Sequence, residues 1–189
     1  MNLRAFLVLI AVGAIAAAGW WVQELIRPEP GEPAARKEKR PDYFLEEFTA
    51  TTTNDQGQPH YRLTAKTMAH YARDDRADLQ DPIMVFFRPE GPAVHMRSET
   101  GTVLEQGALV HLEGKVLIDR PPSPANREVH VITRNLTVHP DQNYAETAEP
   151  VRIEREASTL QGVGMQAWLA DGRMRLLSQV RGTYEPVEE

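Results

Sequence analysis

The six histidines, at positions 60, 70, 95, 111, 130 and 139, are the first residues to weigh, since imidazole is a frequent metal ligand and general base. They form no HxxxH or HxH pair, so a metal site would have to be assembled by the fold from separate elements. His111 and His130 could lie on neighbouring strands, but one exposed or core-edge imidazole each is the simpler expectation. Ser98, Ser123, Ser158 and Ser178 lack the GxSxG elbow that activates a serine nucleophile. With no cysteine in the chain, thiolate catalysis, disulfides and Cys-ligated metals are excluded. Gly162-Val163-Gly164 is not followed by the helix that a phosphate-cradling loop requires. Glu46-Glu47 and Asp74-Asp75 are adjacent pairs rather than carboxylates opposed across a cleft. The expectation is a protein without catalytic residues, metal or cofactor, and not an enzyme.

The elements behind these residues are β-strands. Apolar and polar residues alternate from Phe48 onward, as in Val116-Leu117-Ile118, Val129-His130-Val131 and Val151-Arg152-Ile153, with no sustained 3.6-residue stripe. The alternation sits inside a longer repeat. An apolar residue, one intervening position and a small residue recur as Leu63-x-Ala65, Met96-x-Ser98, Val131-x-Thr133 and Leu160-x-Gly162. A turn follows each, at Ala72 to Asp75, Glu105 to Gly107, Pro140 to Asn143 and Ala170 to Gly172, and then a second strand start, at Pro82, Gly114, Pro150 and Gln179. Asp171-Gly172 reads as a two-residue hairpin turn. Phe44 to Thr53 supplies a further strand, closed by the Asn54 to Gly57 turn. One hairpin-like unit reused several times cannot cover its apolar face without a neighbour, so the units stack. The fold expected is all-β: a repeat-built, jelly-roll-like antiparallel sandwich of two facing sheets, open at its two edge strands. Open edges invite a partner to continue the sheet through its main chain.

Ahead of this domain, Ala5 to Val22 runs eighteen residues without a charge, about 27 Å as a helix at ~1.5 Å per residue, enough to cross a bilayer core. Trp20-Trp21 would sit at its interface. A cleaved signal peptide is the rival reading, but it would leave Trp20, Trp21, Leu25 and Ile26 as an apolar stub. The division expected is a transmembrane anchor at residues 1–26, a Pro-rich charged linker at 27–42 and the β domain at 43–189. The linker, with prolines at 28, 30, 33 and 41, has nothing large to bury. Counts of Lys and Arg flanking the anchor do not decide its orientation.

From Pro41 onward there are 15 Lys and Arg and 23 Asp and Glu, a net charge of −8 (15 − 23). That balance, without a basic stripe interleaved with aromatics, disfavours nucleic acid as a partner.

Several segments in order, Tyr61-Arg62-Leu63-Thr64-Ala65, Pro82 to Val85, Gly114 with Val116, Pro150-Val151 and Val180-Arg181-Gly182-Thr183-Tyr184-Glu185, behind a short anchor and tether, resemble the LptC family. These are bitopic inner-membrane components of the lipopolysaccharide transport bridge of Gram-negative bacteria. The resemblance spans nearly the whole chain and implies a twisted jelly roll in the periplasm, held by a single pass through the inner membrane. It implies that the domain receives lipopolysaccharide from the inner-membrane ABC permease subunits, holds the acyl chains of lipid A in an apolar groove, and passes them to a soluble periplasmic bridge protein of the same fold. The alternative is a purely structural docking module that only tethers such a partner by edge-strand pairing.

By alternation, the residues that face inward and could line a lipid path are Phe86, Val103, Leu112, Val116, Ile118, Leu136, Val138, Val151, Ile153, Met165, Leu169 and Met174. The same residues would fill any β-sandwich core. For the partner edge, the resemblance implies Val180, Arg181, Gly182, Thr183 and Tyr184.

Overall fold

The computed structural model describes residues 40–184 except 90, 125, 126 and 157. The expected anchor, and the linker up to residue 39, lie outside the described residues. The compact unit begins at Pro41. It holds eleven antiparallel strands: β1 (Tyr43–Thr53), β2 (Pro59–Tyr71), β3 (Arg76–Gln80), β4 (Ile83–Phe86), β5 (Val94–Arg97), β6 (Thr100–Leu104), β7 (Leu109–Arg120), β8 (Val129–His139), β9 (Tyr144–Arg155), β10 (Ser158–Trp168) and β11 (Arg173–Tyr184).

They form one sheet, not two. Its order is β11-β10-β9-β8-β7-β5-β4-β2-β3-β6, with β1 added on β2 and β6 returning to β7. The sheet is folded over along a line that cuts the long strands near their middles. β7 pairs with β6 through Leu109 to Glu113 and with β5 through Leu117 to Asp119. β2 likewise pairs with β4 through Tyr61 to Thr64 and with β3 through Thr67 to Tyr71. The first limb of the fold therefore contains β3 and β6, the second contains β4 and β5, and the long strands run through both.

The bend is visible in the backbone. Glu47, Gly114, Asn135, Gly164 and Gln179 all have positive φ inside β1, β7, β8, β10 and β11. The ladders shift register at the same places, between Leu112 and Lys115 in β7 and between Ile132 and Thr137 in β8, as bulges do where a strand must turn a corner. In β8 the inward set changes parity across Asn135, from Val131 and Thr133 to Leu136 and Val138. At the corner, two threonine hydroxyls donate to main-chain carbonyls. The Thr133 hydroxyl donates to the Pro150 carbonyl at 3.0 Å and that of Thr147 to the Arg134 carbonyl at 2.8 Å, which is why two polar side chains sit in an otherwise apolar core.

This geometry corrects the expectation of two sheets built from separate short strands. The "second starts" at Gly114, Pro150 and Gln179 are continuations of β7, β9 and β11 past the bend; only Pro82 precedes a new strand, β4. The repeat unit is a bent strand, a turn at the limb tip and a bent strand back. Tip turns form at Ala72–Asp74, Glu105–Gly107 and Pro140–Gln142, with Asp75 and Asn143 in the left-handed region after the first and third. The fourth turn spans four residues rather than Asp171-Gly172 alone, because Trp168 pairs with Arg173 and Leu169 is drawn into the core at 5% exposure. The Asn54 turn forms as read, its side-chain oxygen accepting from the backbone N–H groups of Gln56 and Gln58.

Candidate functional site

Where the limb tips meet, they are tied together. His60 at the start of β2 and Asn143 in the β8–β9 turn are 3.0 Å apart, Nε2 to Oδ1. Arg88, just beyond β4, donates from Nε to the Ala170 carbonyl at 3.2 Å. Between the limbs lies a narrow cavity of about 40 Å³, lined by Val94, Met96, Ile118, Val131, Met165 and Leu169 among others. That is far below the roughly 300–1,000 Å³ of a ligand pocket. Toward β11 it widens. Arg120, Val129, Gly172 and Met174 line both the cavity and a recess of about 490 Å³ that also includes Ile153, Arg155, Leu160, Leu176 and Val180.

The residues expected inward fall into groups. Phe86, Leu112, Val116, Leu136 and Val138 are at most 1% exposed and pack solidly, most of them around the bend. Ile118, Met165 and Leu169 line the narrow cavity, Ile153 lines the recess, and Met174 lines both. Met174 is on the inward face, opposite buried Ala167, yet 38% exposed, because no described strand lies beyond β11. Val103 is half-buried and packs against the core. Val151 is buried, beside a recess of about 580 Å³ that Lys115, Arg134, Arg152 and Arg181 also line.

β11 pairs only with β10 and β1 only with β2 among the described residues, so each leaves one side of its main chain without a strand partner. Both carry exposed apolar side chains: Tyr43, Phe44 and Leu45 on β1, and Met174, Leu177, Val180 and Tyr184 on β11. Of the residues expected at the partner edge, Arg181, Gly182, Thr183 and Tyr184 pair with Gln161, Leu160, Thr159 and Ser158 of β10, while Val180 turns toward the recess.

His111 and His130 do sit on adjacent strands, but at opposite ends of them. His111 Nδ1 is 3.1 Å from the Thr137 hydroxyl. His130 Nδ1 is 2.7 Å from Asp119 and its Nε2 is 3.1 Å from Glu128. The Asp119 hydrogen bond, reinforced by the charge of Glu128, raises the His130 pKa. Among the described residues no three His, Asp or Glu side chains are grouped to hold a metal ion.

Sequence reasoning passed over Arg120, which lines both cavity and recess. Its pKa is lowered, first by burial and then by Arg88 and Arg155. The signal was present: Phe86-x-Arg88, Ile118-x-Arg120 and Ile153-x-Arg155 each put an arginine two positions beyond an inward residue.

The bent antiparallel strands, the tip turns and the apolar interior define a bent, folded-over β-jelly roll. A family model described as "Lipopolysaccharide-assembly, LptC-related" matches residues 7–185, and the chain belongs to that family. In fold it is similar to a crystal structure of LptH from Pseudomonas aeruginosa, described as the LptA-homologous periplasmic component of the conserved lipopolysaccharide transport device. The two superpose with a TM-score of 0.52 at 13% identity, over 67% of this chain and 95% of that one. No curated protein matches the chain.

Proposed function

We propose that this chain is an inner-membrane-anchored segment of a lipopolysaccharide transport bridge, single-pass, with its β domain in the periplasm. It receives lipopolysaccharide from the ABC permease subunits, holds the acyl chains between the two limbs, and hands them to a soluble bridge protein of the same fold. The observation that carries the reading is the apolar cavity that continues into the recess beside β11. Family membership and the likeness to LptH support it. The exposed apolar side chains of the β11 edge suit a partner that continues the sheet through residues 180–184.

The narrow part of the cavity does not hold an acyl chain as it stands, so loading requires the limbs to separate at the His60–Asn143 and Arg88–Ala170 ties. The β11 edge also favours the second reading, a docking module that carries no lipid. Photo-crosslinking in membranes separates the two. A photoreactive residue at Met174 or Ile153 labels lipopolysaccharide if the groove is the path, and one at outward-facing Arg152 does not. Labelling confined to Arg152 would leave only the docking role.

A further inference from the structure

Three strands of the second limb end alike. Phe86 in β4, Ile118 in β7 and Ile153 in β9 are buried, and the next position on the same face is Arg88, Arg120 and Arg155 respectively. All three reach the limb tip: Arg88 and Arg120 are half-buried there, and Arg155 is exposed at the mouth of the recess. Arg120 pairs opposite Val129 of β8, and Glu154 opposite His130, so Arg155 is the next residue along, on the far side of Val129. The two arginines flank that buried valine at about 10 Å, two strand spacings of ~4.8 Å. Both line the recess together with Gly172. The Arg88 guanidinium closes the set, since a Cβ on Gly172 would lie 2.9 Å from its Nη2.

Nothing described on the chain neutralises them. The nearby carboxylates are engaged elsewhere: Asp119 with Arg97 and His130, Glu128 with His130, Glu154 with Arg152, Glu156 with Arg127, and Asp171 with Arg173. Arg88 Nη1 and Arg120 Nε are buried without a hydrogen-bond partner. Buried guanidinium nitrogens without acceptors are costly. Three like charges are held together at this one spot in a domain that is otherwise net negative.

We propose that Arg88, Arg120 and Arg155 bind a phosphate group carried on an acylated ligand, with the phosphate at the limb tips and the acyl chains in the recess toward Leu160 and Leu176. The planar guanidinium fork matches phosphate oxygens two at a time, and apolar walls begin directly behind it. The site rests on the groove reading above and adds to it which end of the ligand lies at the tips.

The test uses the full chain in nanodiscs of neutral phosphatidylcholine, with three probes: lipid A bearing both phosphates, the same lipid A with its phosphates removed, and inorganic phosphate alone. The phosphorylated lipid binds about tenfold more tightly than the dephosphorylated one, the size expected of a charge-assisted hydrogen bond or two. In the Arg120→Gln/Arg155→Gln variant the ratio falls to about one, whatever the change in affinity for the dephosphorylated lipid. Equal binding of both lipids by the unaltered chain overturns the phosphate site and leaves the groove standing. Binding of neither lipid overturns the groove and the site together. If inorganic phosphate alone abolishes the tenfold preference at micromolar concentration, the site belongs to free phosphate and the headgroup assignment is wrong. Should the double variant fail to fold, the unaltered chain still decides, and Arg155→Lys, which keeps the charge but loses the fork, gives an intermediate ratio of about threefold.

Discussion

His60 and Asn143 stand 83 positions apart in sequence and 3.0 Å apart in space, and their contact joins the tips of two limbs that share every long strand. A folded-over sheet hinged at its bend and tied at its tips can widen without losing its ladders. The tie is a stabilising contact and, in the loading proposed above, the latch that must open. Replacing His60 by Ala should lower unfolding free energy by about 1 kcal/mol, the usual net value of a hydrogen bond. Asn143→Gly tests the same contact from the other side, because glycine keeps the left-handed backbone (φ 52). Denaturant unfolding of both variants and of the pair should give a double change close to either single one.

The threonines at the bend are expected to matter more than their size suggests. Thr133→Val keeps the shape but leaves the Pro150 carbonyl without its 3.0 Å donor, so a loss of about 1–3 kcal/mol is expected by thermal or denaturant unfolding. A loss below about 0.5 kcal/mol would show that another donor reaches that carbonyl.

Two glycines separate two kinds of backbone constraint. A Cβ on Gly101 in β6 would meet the His111 backbone oxygen at 2.9 Å, so Gly101→Ala must push β6 from β7 and should cost about 1–3 kcal/mol by overpacking. Gly114 has φ +75 with only the Glu99 carboxylate at 3.5 Å, so Gly114→Ala pays the left-handed strain alone, about 1–2 kcal/mol. Gly114→Asn should recover part of that second loss, and Gly101→Asn none of the first.

His130 supplies a pH-dependent contribution. Its pKa is raised in the folded state by Asp119, so the stabilisation is fully present below the unfolded value, near 6.5 for histidine, and is lost as pH rises through the higher folded value. NMR titration of the imidazole should show the upward shift, and Asp119→Asn should remove most of it.

The repeat was legible because tip turns need special residues. Asp75 and Asn143 take left-handed conformations, and the turns fall at the spacing that the sequence shows. The corners were less legible. Gly114 and Gln179 turn β7 and β11 with positive φ, but neither type announces a bend inside a strand, so alternation resuming at each read as a new strand. Met174 shows another limit. Alternation gives its face correctly, but not that β11 is an edge where that face is half open. Arg88, Arg120 and Arg155 could have been found, because the same alternation that placed Phe86, Ile118 and Ile153 inside places the arginines beside them.

The claim that acyl chains lie between limbs that must part is tested most directly by locking the latch. The chain has no cysteine, so His60→Cys with Asn143→Cys introduces one pair that a short bifunctional thiol reagent can bridge. With a photoreactive residue at Met174, lipopolysaccharide labelling should fall at least about tenfold on bridging, a change of ~1.4 kcal/mol or more, and return when a cleavable bridge is cut. Undiminished labelling with the bridge in place would contradict the account.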